Sequence, residues 1–238
     1  MKIAILSDIH GNLAALQAVL EAVSDADRIV CLGDLVDYGP QPAACIDLVR
    51  ERASLVVQGN HDYAVGEAAD PRCSPAYVPL AFATRDFTIA VLDLARRSYL
   101  ASLPRGECFE LGGASVALVH ACPSDPLFGY LRPGTPEDIW EREATLAGSP
   151  DFLLLGHTHL PIVLKAGRTT IVNPGSVGQP KDGDPRAAYA VWDDGAVSLR
   201  RAEYDIDATA RAFEATGLEA SDIAKLVAIL RSGGTQGP

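Results

Sequence analysis

Residues 2–57 alternate between two hydrophobic patterns. The run KIAILS at 2–7 is almost continuously apolar and stops at the polar pair Ser7 and Asp8. A short unbroken run of this kind suits a strand buried on both faces. Over 12–23 the spacing changes. Leu13, Leu16, Leu20 and Val23 recur at helical intervals, with Asn12 placed as an N-cap. RIVCL at 28–32 predicts a second strand, 42–51 a helix opening at Pro42, and SLVV at 54–57 a third strand. Strand, helix, strand, helix, strand implies a parallel sheet with crossover helices.

Beyond residue 57 the pattern shifts. Residues 77–101 are a long apolar-periodic stretch of helical character, and 136–147 read as another helix. Hairpin signals stand at Gly112-Gly113, Ala166-Gly167 and Asp194-Gly195, with strands expected at 107–111, 115–120, 161–165, 168–172, 187–193 and 196–201. DFLLL at 151–155 predicts one more strand, and 206–231 two short helices. No linker-like stretch or internal repeat interrupts the chain. The expectation is one α/β domain over 1–232, two sheets packed between helices, followed by a frayed tail, GGTQGP, at 233–238.

The composition narrows the functions open to such a fold. With 48% hydrophobic and 21% charged residues, the 238-residue chain has the balance of a soluble globular protein. Its net charge of −11 argues against nucleic-acid coating and against binding an anionic membrane. The N-terminal apolar run is too short for a signal peptide, and no run reaches the length of a membrane span, so a cytoplasmic location is expected. The five cysteines are odd in number and form no C-x-x-C pair, which reads as reduced thiols. Cys31 and Cys122 flank the motifs below and read as small buried hydrophobes.

Residues able to bind metal recur just past the predicted strands. Asp8-Ile9-His10 follows the first, Gly33-Asp34 the second, and Gly59-Asn60-His61-Asp62 the third. His120 ends the strand at 115–120, and Gly156-His157-Thr158-His159 follows 151–155. In open α/β sheets sites form at the carboxyl ends of strands. Alone, Gly-Asp reads as a turn, and His120 reads equally as a packed core histidine. Together the five motifs account for every histidine in the chain, and they point to one shared site.

In this order the motifs D-x-H, G-D, G-N-H-[DE], H and G-H-x-H resemble those of the calcineurin-like metallophosphoesterase superfamily, from residue 8 to 159. The strings SDIHGN, LGDLVDYGP, GNHD, GHTH and NPGSVGQP are most similar to its small bacterial phosphodiesterase branch. The resemblance implies two mixed sheets face to face between helices, a four-layer αββα sandwich. It implies two divalent or trivalent metal ions, one held by Asp8, His10, Asp34 and His159, the other by Asp34, Asn60, His120 and His157. Asp34 would bridge them. Mn²⁺ is the leading choice, with Fe, Zn²⁺ and Ni²⁺ as alternatives.

The implied chemistry is attack on a phosphate ester by a hydroxide shared between the ions, with no Ser or Cys nucleophile. His61 would protonate the leaving alkoxide or stabilise transition-state charge, and Asp62 would orient it, an N-cap role being the alternative for Asp62. The expected partner is a small phosphorylated substrate, a phosphate ester or nucleotide. The alternatives are a dinucleoside polyphosphate hydrolase or a phosphomonoesterase. The acidic charge argues against a nuclease. The intact histidine set argues against a non-catalytic scaffold such as the retromer subunit that resembles these enzymes. Tyr38 replaces the arginine of the protein-phosphatase pattern G-D-x-x-D-R-G, which argues against phosphoprotein phosphatase activity.

Substrate contacts are expected from Asn12, at the start of the first helix, from Asn173 and Ser176 in the NPGS loop, and from Arg132. A plain N-cap is the alternative for Asn12; for Asn173 and Ser176, whose loop the resemblance places near the metals, the alternatives are support of the metal ligands from behind and a structural turn. Residues 121–136, with four prolines, Phe128 and Tyr130, are expected to cover the site and help select substrate, with Phe128 or Tyr130 stacking a base. The alternative is that these rings simply pack the loop down.

Overall fold

The structure, a computed structural model, describes residues 1–73 and 75–234. Strands β1 (Lys2–Leu6), β2 (Arg28–Cys31) and β3 (Leu55–Val56) are joined through helices α1 (Leu13–Ala22) and α2 (Pro42–Arg52). A short helix, α3 (Asn60–Gly66), follows at once, and then α4 (Val78–Val91) and α5 (Leu94–Ser102). Next come β4 (Gly106–Leu111), β5 (Ala114–Val119), α6 (Glu137–Leu146), β6 (Phe152–Leu154), β7 (Ile162–Ala166) and β8 (Thr169–Asn173). The chain continues with β9 (Ala187–Asp193), β10 (Ala196–Ala202), α7 (Ile206–Ala212) and α8 (Ala220–Ser232).

Among the described residues ten strands form two five-stranded mixed sheets, in the orders β10-β9-β1-β2-β3 and β4-β5-β6-β8-β7. In the first, β1 pairs parallel with β2 and antiparallel with β9, placing Ile3 opposite both Arg28 and Trp192. In the second, β5, β6 and β8 run parallel and carry antiparallel strands at both edges.

The period-2 alternation of the strands builds the layers. Ile3, Ile5, Val30 and Leu32 of the first sheet meet Val116, Leu118, Leu154 and Val172 of the second, with Trp192 filling the space between. On the outer face Ala4, Leu6 and Cys31 pack on Leu16, Val19, Ile46 and Val49 of α1 and α2. The outer face of the second sheet packs Ala117, Leu153 and Ile171 on Trp140 and Ala144 of α6. The result is four layers in the order αββα.

Two elements depart from the sequence reading. The stretch 77–101 is two helices. Leu92 is extended (φ −86°, ψ 133°), and the Asp93 side chain accepts from Arg96 N to cap α5. The motif 59–62, placed by the sequence only as following the third strand, opens helix α3 with Gly59 as its N-cap. At the C-terminus Gly233 takes φ 66° to close α8, and its carbonyl accepts from Gly183 N at 3.0 Å. The rest of the expected tail, 235–238, lies outside the described residues. No helix among the described residues is long and apolar enough to cross a membrane.

Candidate metal centre

The loops after β1, β2 and β6 curl sharply. Asp8 (φ 55°), His10 (48°), Asp34 (56°), His157 (65°) and His159 (59°) all adopt left-handed backbone. Non-glycine residues are uncommon there, and such conformations gather at functional sites. Backbone bonds hold the curls together: Asp8 N donates to Gly33 O at 3.0 Å and His10 N to Asp34 O at 2.9 Å. The two sheets are joined here as well, since His157 N donates to Asp8 Oδ2 at 3.1 Å. Gly59 is required for closeness. A Cβ there would stand 2.1 Å from Asp34 Oδ1.

This geometry gathers Asp8, His10 and His159 into one cluster and Asp34, His120 and His157 into another, all six buried. Three of the four imidazoles anchor Nδ1 on a backbone carbonyl: His10 on Val36 at 2.9 Å, His120 on Leu32 at 2.7 Å, His159 on Gln179 at 2.5 Å. Anchoring Nδ1 turns Nε2 toward the centre, as in histidines that ligate metals. Asn60 is oriented likewise: Nδ2 donates to Pro71 O at 2.7 Å, leaving Oδ1 3.1 Å from His120 Nε2.

The clusters fit cations. His10 Nε2 and His159 Nε2 face each other at 3.2 Å, although each ring's proton is committed at Nδ1. Two lone pairs that close call for positive charge between them. Asp8 Oδ1 and His157 Nε2 are buried without a hydrogen-bond partner, and a bound cation would satisfy both. Burial pulls His10 down to about 3 and holds His157 and His159 well below the usual imidazole range, so these rings are neutral ligands. Burial opposes the charge on Asp34, but His120 and His61 beside it keep its carboxyl well below the usual carboxylate range.

His61 lines the cavity above the clusters with Asp34, Asn60, His157 and His159. Its Nδ1 donates to Asp37 Oδ2 at 2.7 Å. The expected orienting residue, Asp62, does something else. Its carboxylate accepts from the backbone N–H groups of Asp34 and Leu35 (both 2.8 Å) and Gly59 (3.0 Å). As the third residue of α3, Asp62 points back over the helix N-terminus and ties it to the Asp34 loop. Asp37 reaches His61 because Asp37 and Tyr38 also adopt left-handed backbone and fold the chain back. Burial lowers the His61 pKa, but Asp34 and Asp37 outweigh it and raise the net value.

Of the four expected polar contacts, Arg132 lines this cavity and Asn12, Asn173 and Ser176 do not. Asn12 is consumed structurally: Oδ1 accepts from Ala15 N and Thr209 Oγ1, and Nδ2 donates to Gly178 O and Tyr204 Oη. Asn173 Nδ2 braces the Gly156 carbonyl at 2.7 Å and Thr158 Oγ1 at 3.1 Å, while Oδ1 accepts from Gly175 N. Ser176 Oγ donates to Asp8 O at 2.7 Å and accepts from Gln179 N. Asn173 and Ser176 therefore steady the ligand loops, and their polar atoms are spent on backbone and on the Thr158 hydroxyl. The loop 121–136 reaches the cavity with Tyr130, whose ring centroid lies 4.1 Å from that of His157. Phe128 packs on Tyr63 and under Arg72, and it does not line the cavity.

Lys181, Tyr77 and Cys73 line the cavity without having been expected there. Lys181 places Nζ 3.5 Å from His159 Nε2 and 4.4 Å from the Tyr77 ring centre. Burial lowers it to about 8, against the pull of Asp8 and Asp34. It follows directly on NPGSVGQP, and a basic residue next to that string was the signal available.

A family model for the calcineurin-like phosphoesterase superfamily domain matches residues 1–194. The chain is 34% identical over 224 residues to an uncharacterized protein of Methanocaldococcus jannaschii, covering 86% of this chain and 88% of the relative. It is 30% identical over 211 residues to the phosphodiesterase YfcE of Escherichia coli, covering 84% of this chain and 91% of the relative. The crystal structure of a metallophosphoesterase from Sphaerobacter thermophilus matches with TM-score 0.81 at 32% identity, covering 98% of this chain and 100% of that one. The chain belongs to the calcineurin-like phosphoesterase superfamily and is a hydrolase of phosphoester bonds.

Proposed function

We propose that the protein is a two-metal phosphodiesterase acting on a small phosphate ester or nucleotide. The position of Asp34 carries this reading. Its Oδ2 lies 3.8 Å from His10 Nε2 and 3.3 Å from His120 Nε2, so one carboxylate serves both clusters. Two bound ions would supply charge for the phosphoryl oxygens and lower the pKa of a shared water. Asp8, His10 and His159 would hold one, and Asn60, His120 and His157 the other, with Asp34 shared.

The chain's own groups do the rest. His61, held through Nδ1 by Asp37, is oriented to present a proton at Nε2 to the leaving oxygen. Asp37 keeps that ring in one orientation. Cys73 also lines the cavity, but burial raises its thiol pKa, which keeps it protonated and a poor nucleophile.

Hydrolysis of bis-p-nitrophenyl phosphate against p-nitrophenyl phosphate tests the reading. The diester is expected to be the better substrate in Mn²⁺, with activity lost to chelator and restored by added metal. No hydrolysis of either would reject it in favour of a non-catalytic scaffold. Asp34→Asn is expected to weaken both metal sites together, and normal occupancy by metal analysis would reject the shared ligand.

A further inference from the structure

Helices α7 and α8 lie beyond residue 194, where the match to the family domain ends. Helix α8 nonetheless backs the cavity wall. Leu226, Ile229 and Leu230 form one apolar cluster with Tyr38, and Tyr77 packs against it. Both rings line the cavity. Tyr38 stands edge-on to His61, with ring centres 4.8 Å apart, and the Tyr77 ring centre lies 4.4 Å from Lys181 Nζ.

The end of α8 reaches the same lysine from its backbone side. Gly233 and Gly234 take φ 66° and 81°, and the chain turns over residues 180–184. Gly183 N donates to Gly233 O and Gly234 N to Ile229 O, both at 3.0 Å. The approach leaves no room for a side chain. A Cβ on Gly234 would stand 2.7 Å from Lys181 Cα and from Pro180 O, and one on Gly233 2.6 Å from Asp184 N. From the other side Arg201 of β10 pairs with Asp182 and donates to the Arg186 carbonyl at 3.1 Å. The segment carrying Lys181 is thus held between β10 and the last turn of α8.

A clamp matters for a lysine in this place, because its four-carbon stem is flexible. Asp8 and Asp34 draw the ammonium inward. In a loaded centre those carboxylates would be spent on the ions, and the ions would repel a nearby cation. The ammonium stays at hand for an entering anion only if its Cα and stem are seated by their surroundings. The glycine turn seats the first, and the Tyr77 ring supports the charged end.

We propose that the Gly233-Gly234 turn is a positioning element of the site: by seating Lys181, it directs the ammonium to an oxygen of the reacting phosphoryl group. This rests on the phosphohydrolase reading above. A double-mutant cycle tests it, read by titrating the metal-loaded full chain with inorganic phosphate. Lys181→Met should weaken phosphate binding by about 10-fold or more, and Lys181→Arg should retain most of it. Gly234→Ala should weaken it by about 3–10-fold at unchanged metal content, and by nothing further in the Lys181→Met background. Gly234→Asn tolerates left-handed backbone while still crowding Lys181, and repeats the test if the alanine variant folds poorly. Ala224→Gly loosens α8 on its exposed face, and should lower Tm without moving phosphate affinity. Wild-type affinity in the glycine variants, or an equal loss in both backgrounds, overturns the positioning role. So does an equal loss in Ala224→Gly, which would mark general loosening of the helix. Wild-type affinity in Lys181→Met, or a wild type that binds no phosphate, overturns the phosphoryl contact. Turnover of bis-p-nitrophenyl phosphate by the wild type reports separately on the phosphohydrolase reading.

Discussion

At His61 one hydrogen bond separates two carboxylates that look alike in the sequence. Asp37 touches the imidazole, while Asp62 satisfies three backbone N–H groups. Asp37→Asn should therefore leave metal content and stability near wild type and lower kcat by about 10-fold or more. His61→Ala should keep both metals and lower turnover by about 10²-fold. Asp62→Asn should instead unfold more easily. Its amide turns a donor toward backbone donors, a loss of about 1–3 kcal/mol that lowers Tm by several degrees. Kinetics, metal analysis and thermal melts on the three variants check this. An Asp37→Asn enzyme with wild-type kcat would remove the orienting role. The residues of the two clusters were legible because each lies in a short motif directly after a strand. Asp37 was not, although LGDLVDYGP contains it. Its reach depends on left-handed backbone at Asp37 and Tyr38, which no residue type there announces.

Among the elements, strands were legible where an apolar run was bounded by turn residues, and helices where the period was long enough to register. Helix α3 has seven residues and starts on polar ones, so it offers too few turns for a periodic signal. The break between α4 and α5 is two extended residues, Leu92 and the cap Asp93, hidden in a stretch that stays apolar-periodic. The pairing of β9 with β1 joins residues far apart in the chain, and nothing local specifies that partner. One inter-strand link makes a prediction about pH. Asp151 Oδ2 accepts from Ser115 N and Oγ, both at 2.8 Å, and Oδ1 pairs with Arg168. The Ser115 bonds, then Arg168, lower Asp151 from 3.8 to about 2. A depressed carboxylate adds stability above its unfolded pKa and loses it as pH falls toward the folded one. Asp151→Asn should thus melt below wild type at neutral pH, and the gap should narrow as pH falls from about 4 toward 2. Melts run in chelator keep metal loss out of the comparison. A gap independent of pH would show that the charge contributes nothing.

For the molecule as a whole, the candidate centre lies where the two sheets meet. Asp8, His10 and Asp34 come from loops of the first sheet, and His120, His157 and His159 from loops of the second. Each cluster takes ligands from both: Asp8 and His10 with His159, and Asp34 with His120 and His157. An ion in either cluster therefore binds only when the sheets are packed together. Binding to the folded state alone stabilises it by RT ln(1 + [L]/Kd), about 2.7 kcal/mol per site at 100 times Kd. For a chain of this size that corresponds to a Tm rise of about 5–10 °C per site. Without cations the same clusters leave two imidazole lone pairs facing at 3.2 Å and Asp8 Oδ1 buried without a hydrogen-bond partner. Added Mn²⁺ should therefore raise Tm well above its value in chelator, with saturation at two ions per chain. Asp34→Asn should blunt most of the rise, because it removes the ligand that both clusters share. His61→Ala should keep the rise in full while losing turnover. A Tm that is the same in Mn²⁺ and in chelator would mean that the two clusters do not hold ions, and would take the two-metal reading with it.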